Sequence, residues 1–264
     1  MVIGYRMKLQ TVVDIKPSPW KIGYEDRLLL LGSCFVDAIG RKMQEYYFRV
    51  KANPTGTLYN PVSIAHHIDL LNDADVAIIT FGTAWVYEDK LIGQVVDNCQ
   101  KRPATDFIRR RLTVDEIVEL WQPILKRYAD KRFVFTVSPI RHIKDGLHEN
   151  QLSKATLLFA IERLTGKEQV YFPSYEILLD ELRDYRFYAD DLVHPSTMAV
   201  EYIWERFADT FITSETRQQM QELHQLWLDR HHTLLHPETE EAQRFIRQTE
   251  IRKQQLQVRY PWIE

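Results

Sequence analysis

Short apolar segments alternate with helical patterns along most of the chain, and this alternation restricts the fold more than any other feature. The predicted strands occupy residues 28–31, 46–51, 76–81, 132–137 and 169–173. Between them apolar residues recur at helical spacing, as in Phe35, Ile39 and Met43. The order predicts an α/β fold with a parallel sheet of about five strands and helices on both faces, a three-layer α/β/α sandwich.

Polar residues gather where the predicted strands end, in the segments 32–34, 53–60, 82–84 and 138–142. Ligand sites of parallel sheets lie outside the carboxyl ends of the strands. We therefore expect these segments to form one polar rim. The intervening basic, proline-containing segment 101–111 is predicted to be a solvated loop.

The first strand ends in Gly32-Ser33-Cys34-Phe35, which places a hydroxyl beside a thiol. Cys34 is a candidate nucleophile because the N-terminus of the following helix favours a thiolate. Ser33 is the alternative nucleophile, although serine is also a favoured N-cap residue. Either side chain could instead be purely structural.

The motif Asp191-Leu192-Val193-His194-Pro195 supplies an imidazole with a carboxylate three residues before it. Asp191 can hold His194 in one tautomer and stabilise its protonated form, as in a nucleophile–His–Asp hydrolase. Asp190 is an alternative partner. The motif predicts that His194 accepts the proton of the nucleophile.

These residues resemble the GSCFA family, named for a Gly-Ser-Cys-Phe-Ala motif and similar to the SGNH (GDSL-like) hydrolases. The resemblance covers about residues 8–212 and rests on several blocks in order, which are Gly32-Ser33-Cys34-Phe35-Val36, Asn53-Pro54 with Gly56 and Tyr59-Asn60-Pro61, Thr80-Phe81-Gly82-Thr83, Asn98-Cys99-Gln100-Lys101, Ser138-Pro139-Ile140-Arg141-His142, and Asp191 with His194-Pro195-Ser196. It implies a flavodoxin-like sheet and ester-bond chemistry, often on acylated carbohydrates or lipids. In the SGNH register the nucleophile is Cys34.

The same resemblance implies an oxyanion site formed by the backbone of Cys34 and by Gly56. Gly82 and Thr83, in the block after the third strand, are further candidate oxyanion or substrate-binding residues, although this block departs from the SGNH pattern because Ala84 replaces its asparagine. The missing amide would then come from the neighbouring residues Asn98, Asn53 or Asn60.

Arg141 and His142 are candidate substrate-binding residues, because an arginine fork suits a carboxylate, a phosphate or a sugar hydroxyl. The histidine pairs at 66–67 and 231–232 do not predict a metal site, since neighbouring side chains on a helix diverge by about 100°. The sequence contains no metal-binding or nucleotide-binding motif. We expect neither a metal nor another cofactor.

The formal net charge of -3 and the pI near 6.3 give no reason to expect a nucleic-acid partner. The two cysteines, Cys34 and Cys99, imply no disulfide framework and fit a reducing compartment. No segment has the pattern of a signal peptide or a membrane span. The predicted location is therefore the cytoplasm.

The composition changes after residue 213 to a Gln-, Glu- and Arg-rich stretch with sparse apolar positions, divided by Pro237. We predict a hydrolase-like domain at residues 1–213 and a helical C-terminal extension at residues 214–264. The extension would pack on the core or on a second copy of the chain, which makes a homo-oligomer a candidate assembly.

The first functional hypothesis is a cofactor-free hydrolase or acyltransferase acting on a small-molecule, carbohydrate or lipid ester. The second is a ligand-binding protein that has kept the cleft and lost the chemistry, as Ala84 suggests. A third is a scaffold that binds partners through its helical extension.

Overall fold

The computed structural model describes residues 10–97 and 102–263. In chain order the strands of this part are β1 (Arg27–Gly32), β2 (Arg49–Ala52), β3 (Val76–Phe81), β4 (Trp85–Asp89), β5 (Gln94–Val95), β6 (Phe107–Arg111), β7 (Arg132–Val137) and β8 (Gln169–Tyr171). Its α-helices are α1 (Cys34–Glu45), α2 (Pro61–His66), α3 (Val114–Arg127), α4 (Leu147–Leu164), α5 (Ser174–Glu176), α6 (Thr197–Phe211), α7 (Ser214–His231) and α8 (Glu240–Arg259).

The main sheet is parallel and has the order β2-β1-β3-β7-β8. Numbered among themselves, these strands follow the flavodoxin-like order, in which the ligand crevice lies at the switch point between the first strand and the third. The predicted sandwich and its flavodoxin-like parallel sheet of five strands are confirmed. Within the described part, no helix combines the length and apolar character needed to cross a membrane.

The four leucines of β1 show why helices cover both faces of this sheet. Leu28 and Leu30 belong to a core cluster with α1, α6 and α7, whereas Leu29 and Leu31 belong to a cluster with α2, α3 and α4. Successive side chains of a strand point to opposite faces, so a run of leucines requires apolar cover on each side. Each buried leucine contributes about 1.5–3 kcal/mol.

Gly32 closes β1 at a close backbone approach. Its φ is +148°, and a Cβ atom at this position would lie 2.2 Å from the carbonyl oxygen of Thr80 on β3. Only glycine allows β1 and β3 to remain paired up to the point where the chain turns into α1.

A small antiparallel sheet with the order β5-β4-β6 is inserted between β3 and α3. The prediction of a loop at 101–111 is therefore wrong from Phe107 onward. The arginines of β6 make the segment look like a solvated loop, because charged residues usually face water. In the structure, their stems and guanidinium groups cover aromatic rings of β4. Residue 101 lies outside the described residues.

The C-terminal helices pack against the sandwich. Met220, Leu223 and Leu226 of α7 and Leu256 of α8 belong to the same core cluster as β1 and α1. The predicted helical extension is confirmed, and these four apolar positions are buried in the chain's own core, whereas Ile251 of α8 is exposed.

Candidate active site

A cleft of about 630 Å³ opens at the carboxyl edge of the sheet. The sequence-predicted residues that line it are Ser33, Cys34, Asn60, Thr83, Arg141, His142, Asp191 and His194. They come from the loops after β1, β3 and β7 and from the segments before α2 and α6. The predicted polar rim is thus present, and it surrounds the topological switch point.

Cys34 is the first residue of α1, so its backbone N–H has no partner within the helix. Its thiol is partly exposed, and the Sγ atom lies 3.7 Å from Tyr59 Oη. Burial, followed by the contact with Cys34, raises the pKa of Tyr59 to about 12, so this hydroxyl stays protonated at neutral pH. Among the described residues, no hydrogen bond joins Cys34 to His194, although both line the cleft.

Ser33 has a different environment, because only 1% of its surface is exposed. Its Oγ accepts a hydrogen bond from Phe35 N and donates one to Ser138 Oγ over 2.8 Å. Ser33 therefore caps α1 and connects the end of β1 to the end of β7. These contacts occupy its hydroxyl group, whereas the neighbouring thiol of Cys34 is open to the cleft.

Asp191 organises the loop that carries His194. Its Oδ1 accepts hydrogen bonds from the backbone N–H groups of Val193 and His194 over 2.9 and 3.0 Å, and its Oδ2 lies 2.6 Å from His194 Nδ1. The backbone of His194 and that of Val193, followed by the His194 ring, lower the pKa of Asp191 to about 2. This contact engages Nδ1, so Nε2 is the ring nitrogen that can accept a proton. Asp190 makes no hydrogen bond to His194 in the described part of the chain.

Asn60 caps α2 through its side-chain oxygen, which accepts hydrogen bonds from Val62 N over 3.0 Å and Ser63 N over 2.9 Å. These two bonds fix the orientation of the amide group. Its Nδ2 group has no partner within residues 10–97 and 102–263, and Asn60 lines the cleft. The capping geometry thus leaves one amide donor available at the site.

The backbone N–H groups of the loop after β3 are engaged in hydrogen bonds within the protein. The N–H groups of Gly82 and Thr83 both donate to the carbonyl oxygen of Tyr59, over 2.9 and 2.8 Å. The N–H of Ala84 donates to Ser153 Oγ over 2.8 Å, and Ala84 is fully buried. A Cβ at Gly82 would lie 2.8 Å from the Tyr59 carbonyl oxygen, so glycine is required for this contact. The loop holds the segment that presents Tyr59 and Asn60.

Gly56 does not line the cleft, and its N–H donates to the carbonyl oxygen of Asn53 over 2.9 Å. The side chain of Asn53 accepts from Gly32 N and donates to Asp37, each over 2.9 Å. Both residues therefore serve the turn after β2. Asn98 and its neighbour Cys99 lie outside the described residues.

The guanidinium group of Arg141 lies over the ring of Tyr188, with its central carbon 4.2 Å from the ring centroid, and 5.3 Å from that of Tyr185. Its backbone N–H donates to the carbonyl oxygen of Val193 over 3.2 Å, which ties it to the His194 loop. Within the described residues, no carboxylate pairs with this guanidinium.

His142 is held by a hydrogen bond from its backbone N–H to Asn150 Oδ1 over 2.9 Å. Burial is the largest cause that lowers its pKa to about 4, followed by the positive charge of Lys154, and the backbone of Gly82 opposes the shift. The Nε2 atom is buried and completes no well-formed hydrogen bond with the described residues. This imidazole is neutral throughout the physiological range.

Lys154 was not predicted from the sequence. It is 1% exposed, and its Nζ donates to the carbonyl oxygens of Gly82 and Ser138, each over 2.7 Å. Burial lowers its pKa to about 7. The lysine therefore joins the loops after β3 and β7 beneath the cleft. Its place on the apolar stripe of α4, three residues before Leu157, was the available signal.

His66 and His67 bind one carboxylate at the side of the cleft. His66 Nδ1 lies 2.7 Å from Asp97 Oδ1, and His67 Nε2 lies 2.9 Å from Asp97 Oδ2. The prediction that these neighbours diverge is wrong because α2 ends at His66, so His67 has left helical geometry. In the part of the chain that the structure describes, no group of His, Cys, Asp and Glu has an arrangement that could hold a metal ion.

The antiparallel sheet supplies the aromatic wall of the cleft. Trp85 and Tyr87 of β4 line it, and Arg109 of β6 stacks on Trp85 with its central carbon 4.2 Å from the ring centroid. Arg109 is paired with Asp145, which also lines the cleft. This wall was not predicted, because segment 101–111 was interpreted as a loop.

A family model of the GSCFA family matches residues 27–73 and 69–207. The match covers more than half of the chain and includes both Cys34 and His194, so the protein belongs to the GSCFA family. No curated protein matches the chain.

The chain is also similar to solved structures of esterases. The family 3 carbohydrate esterase of Clostridium thermocellum is 12% identical, with a TM-score of 0.43 over 75% of this chain and 98% of that chain. The acetylxylan esterase Axe2 of Geobacillus stearothermophilus is 13% identical, with a TM-score of 0.46 over 74% and 99%. A putative lipolytic protein of the G-D-S-L family from Desulfitobacterium hafniense is 11% identical, with a TM-score of 0.42 over 70% and 99%.

Proposed function

We propose that this protein is a cofactor-free hydrolase or acyltransferase that acts on O-acyl esters through a covalent intermediate on Cys34. The observation that carries the proposal is the contact between His194 and Asp191 in the cleft that Cys34 also lines. The aromatic rings of Tyr59 and Trp85 line the same cleft and suit a ligand with apolar faces, such as a sugar ring. An acylated carbohydrate is therefore the favoured substrate class.

In the first step, Nε2 of His194 accepts the thiol proton of Cys34, and the sulfur attacks the carbonyl carbon of the ester. The carbonyl electron pair moves to oxygen and then returns as the bond to the alcohol oxygen breaks. The imidazolium gives its proton to the departing alcohol, which leaves a thioester on Cys34. Asp191 stabilises the transient imidazolium and keeps Nε2 as the acceptor.

In the second step, His194 accepts a proton from water or from a second alcohol, whose oxygen attacks the thioester carbonyl. The bond to sulfur breaks and the thiol is restored with the proton that His194 held. Water gives an acid and a second alcohol gives a new ester, so the choice between hydrolysis and transfer depends on which acceptor the cleft admits.

The developing oxyanion requires donors that are not already engaged. In the part of the chain that the structure describes, the N–H of Cys34 at the start of α1 and the Nδ2 group of Asn60 fulfil this condition, and both residues line the cleft. We assign the oxyanion site to them, with Tyr59 Oη as a third donor close to Cys34 Sγ. The N–H of Gly56 is engaged in a turn, so the proposal does not use it.

Rapid-quench mass spectrometry during hydrolysis of 4-nitrophenyl acetate tests the covalent step. We expect an acetyl group on the peptide that contains Cys34, and a fall in kcat by a factor of about 10³ or more for Cys34→Ala. Cys99→Ser removes the other cysteine and should retain both signals. Acetylation of Ser33 instead, or full turnover by Cys34→Ala, would refute the proposed nucleophile.

Asn60→Ser tests the oxyanion assignment. Serine retains the oxygen that caps α2 but provides no donor at the position of Nδ2, so the free energy of unfolding should change by less than about 1 kcal/mol. Loss of one oxyanion donor lowers kcat by a factor of about 10². A kcat within twofold of wild type would remove Asn60 from the oxyanion site.

A ligand-binding role without turnover is the second candidate. Ala84 favours it, because this buried residue offers the cleft no polar side chain where the SGNH pattern has an asparagine. Binding of a sugar ester that persists for hours without cleavage in wild-type protein would support this role over catalysis.

A further inference from the structure

The carboxylates that line the cleft all have partners within the chain. Asp191 contacts His194, Asp97 contacts the two histidines at the end of α2, and Asp145 is paired with Arg109. Each of these acidic groups has a structural contact that fixes it. An incoming ligand therefore meets acids that are already paired.

The cations of the cleft are not balanced in the same way. Among the described residues, neither Arg141 nor Lys144 has an ion-pair partner, although both line the cleft. Lys144 is exposed, whereas Arg141 lies on the rings of Tyr185 and Tyr188. Within the guanidinium of Arg141, Nε is buried without a partner, whereas the terminal nitrogens Nη1 and Nη2 remain accessible and donate to no group among residues 10–97 and 102–263.

Aromatic rings hold the guanidinium in place, since its central carbon lies 4.2 Å from the centroid of Tyr188 and 5.3 Å from that of Tyr185. A guanidinium held against an aromatic ring keeps its terminal N–H groups for other acceptors, such as a planar anion. The backbone of Arg141 is bonded to Val193, next to the proposed base His194. A group bound by this guanidinium would lie in the cleft that Cys34 and His194 also line.

We propose that the substrate of this site is an ester that carries a carboxylate, and that the carboxylate binds Nη1 and Nη2 of Arg141 in a bidentate manner. The inference rests on the proposed function. A carboxylate is favoured over a phosphate because a single guanidinium carries one positive charge and offers two parallel donors. These match the single negative charge and the two oxygens of a carboxylate. The substrate class is then an ester whose alcohol part also carries a carboxylate, of which an acylated uronic acid is an example.

A matched pair of esters tests the proposal. 4-Acetoxybenzoate and 4-acetoxybenzamide have the same shape and the same acetyl group. The first carries a carboxylate where the second carries a neutral amide. We expect wild-type protein to prefer the benzoate in kcat/KM by about tenfold, the value of one charge-assisted pair. Arg141→Gln should abolish the preference and Arg141→Lys should retain part of it. Arg186→Gln removes an equal charge that is paired with Asp184 outside the cleft, and should retain the preference.

Calorimetric binding of the two product alcohols, 4-hydroxybenzoate and 4-hydroxybenzamide, provides a readout that does not depend on turnover. Tighter binding of the benzoate, lost in Arg141→Gln, would support the anion site even if neither ester is cleaved, and only the proposed function would then fail. Equal cleavage of both esters would support the proposed function and overturn the anion site. An equal loss of kcat for both esters in Arg141→Gln would also overturn it, because Arg141 would then act on the reacting carbonyl. A stronger preference for 4-acetoxyphenyl phosphate would replace the carboxylate by a phosphate.

Discussion

His194 and His142 line the same cleft, but His194 has an acidic neighbour and His142 has a basic one. His194 contacts the carboxylate of Asp191 over 2.6 Å, and 44% of its side chain is exposed. His142 has a buried Nε2 and lies near the ammonium group of Lys154, and burial is the larger of these two causes that lower its pKa to about 4. A carboxylate stabilises an imidazolium, whereas burial and a nearby cation exclude it. We therefore propose that His194 transfers the proton and that His142 stays neutral and has a structural role.

The largest expected effect separates the two histidines directly. His194→Ala should lower kcat for 4-nitrophenyl acetate by a factor of about 10³, because no other group in the proposed mechanism accepts the proton of Cys34. His142→Ala should lower kcat by about tenfold at most, since a neutral imidazole that cannot be protonated moves no proton. Stopped-flow kinetics at pH 7, after circular dichroism has verified folding, makes the comparison. Equal losses in the two variants would remove the distinction.

Asp191→Asn sharpens the assignment of His194. The amide would donate a hydrogen bond to Nδ1, which places the proton on Nε2 and blocks its function as an acceptor, so kcat should fall by a factor of about 10² or more. Asp190→Asn is the matched control, because this neighbouring carboxylate makes no hydrogen bond to His194 within the described residues. If both variants reduced kcat equally, a general electrostatic effect would explain the data better than orientation of the ring.

Lys154→Met tests, through the stability of the protein, whether burial perturbs the cation beside His142. Burial lowers the pKa of Lys154 from 10.5 to about 7, so between these values the unfolded chain binds more protons than the folded protein. The contribution of Lys154 to stability must therefore rise with pH from 7 to 10.5, with a slope of at most about 1.4 kcal/mol per pH unit, and decline as pH falls toward 7. Urea unfolding at several pH values should show that the free energy of unfolding of wild type, relative to that of Lys154→Met, increases from pH 7 to 10.5. Parallel curves would mean that the folded state does not perturb this ammonium group.

The sheet was predictable from sequence for a physical reason. A run such as Leu28–Leu31 places apolar side chains on both faces of a strand, so it predicts a strand with helices packed on each face. Gly32 marks the place where β1 ends. The strand β6 was not predictable in the same way. Its arginines satisfy a polar pattern, and they are stabilised by rings on β4 that are distant in the chain.

The candidate site was predictable where one segment carries both partners, as Asp191 and His194 do within a single turn. It was not predictable where partners come from different elements. The position of Lys154 depends on carbonyl groups at the ends of two strands, and the donor of Asn60 is available only because its oxygen caps α2. Such roles depend on hydrogen-bond geometry, which residue types alone do not specify.

The smallest expected effect concerns His142 and the cation beside it. In a titration followed by NMR of the imidazole carbons, His142 of the wild-type protein should change its protonation near pH 4. Lys154→Met removes the second-largest cause of this low pKa, so the midpoint should rise. It should still remain below the usual value of 6.5, because burial, the largest cause, persists. Lys144→Met removes an exposed lysine of the same cleft and should leave the midpoint unchanged. A midpoint that does not respond to Lys154→Met would mean that burial alone keeps His142 neutral, and the contrast with His194 would then rest on exposure and not on the sign of the neighbouring charge.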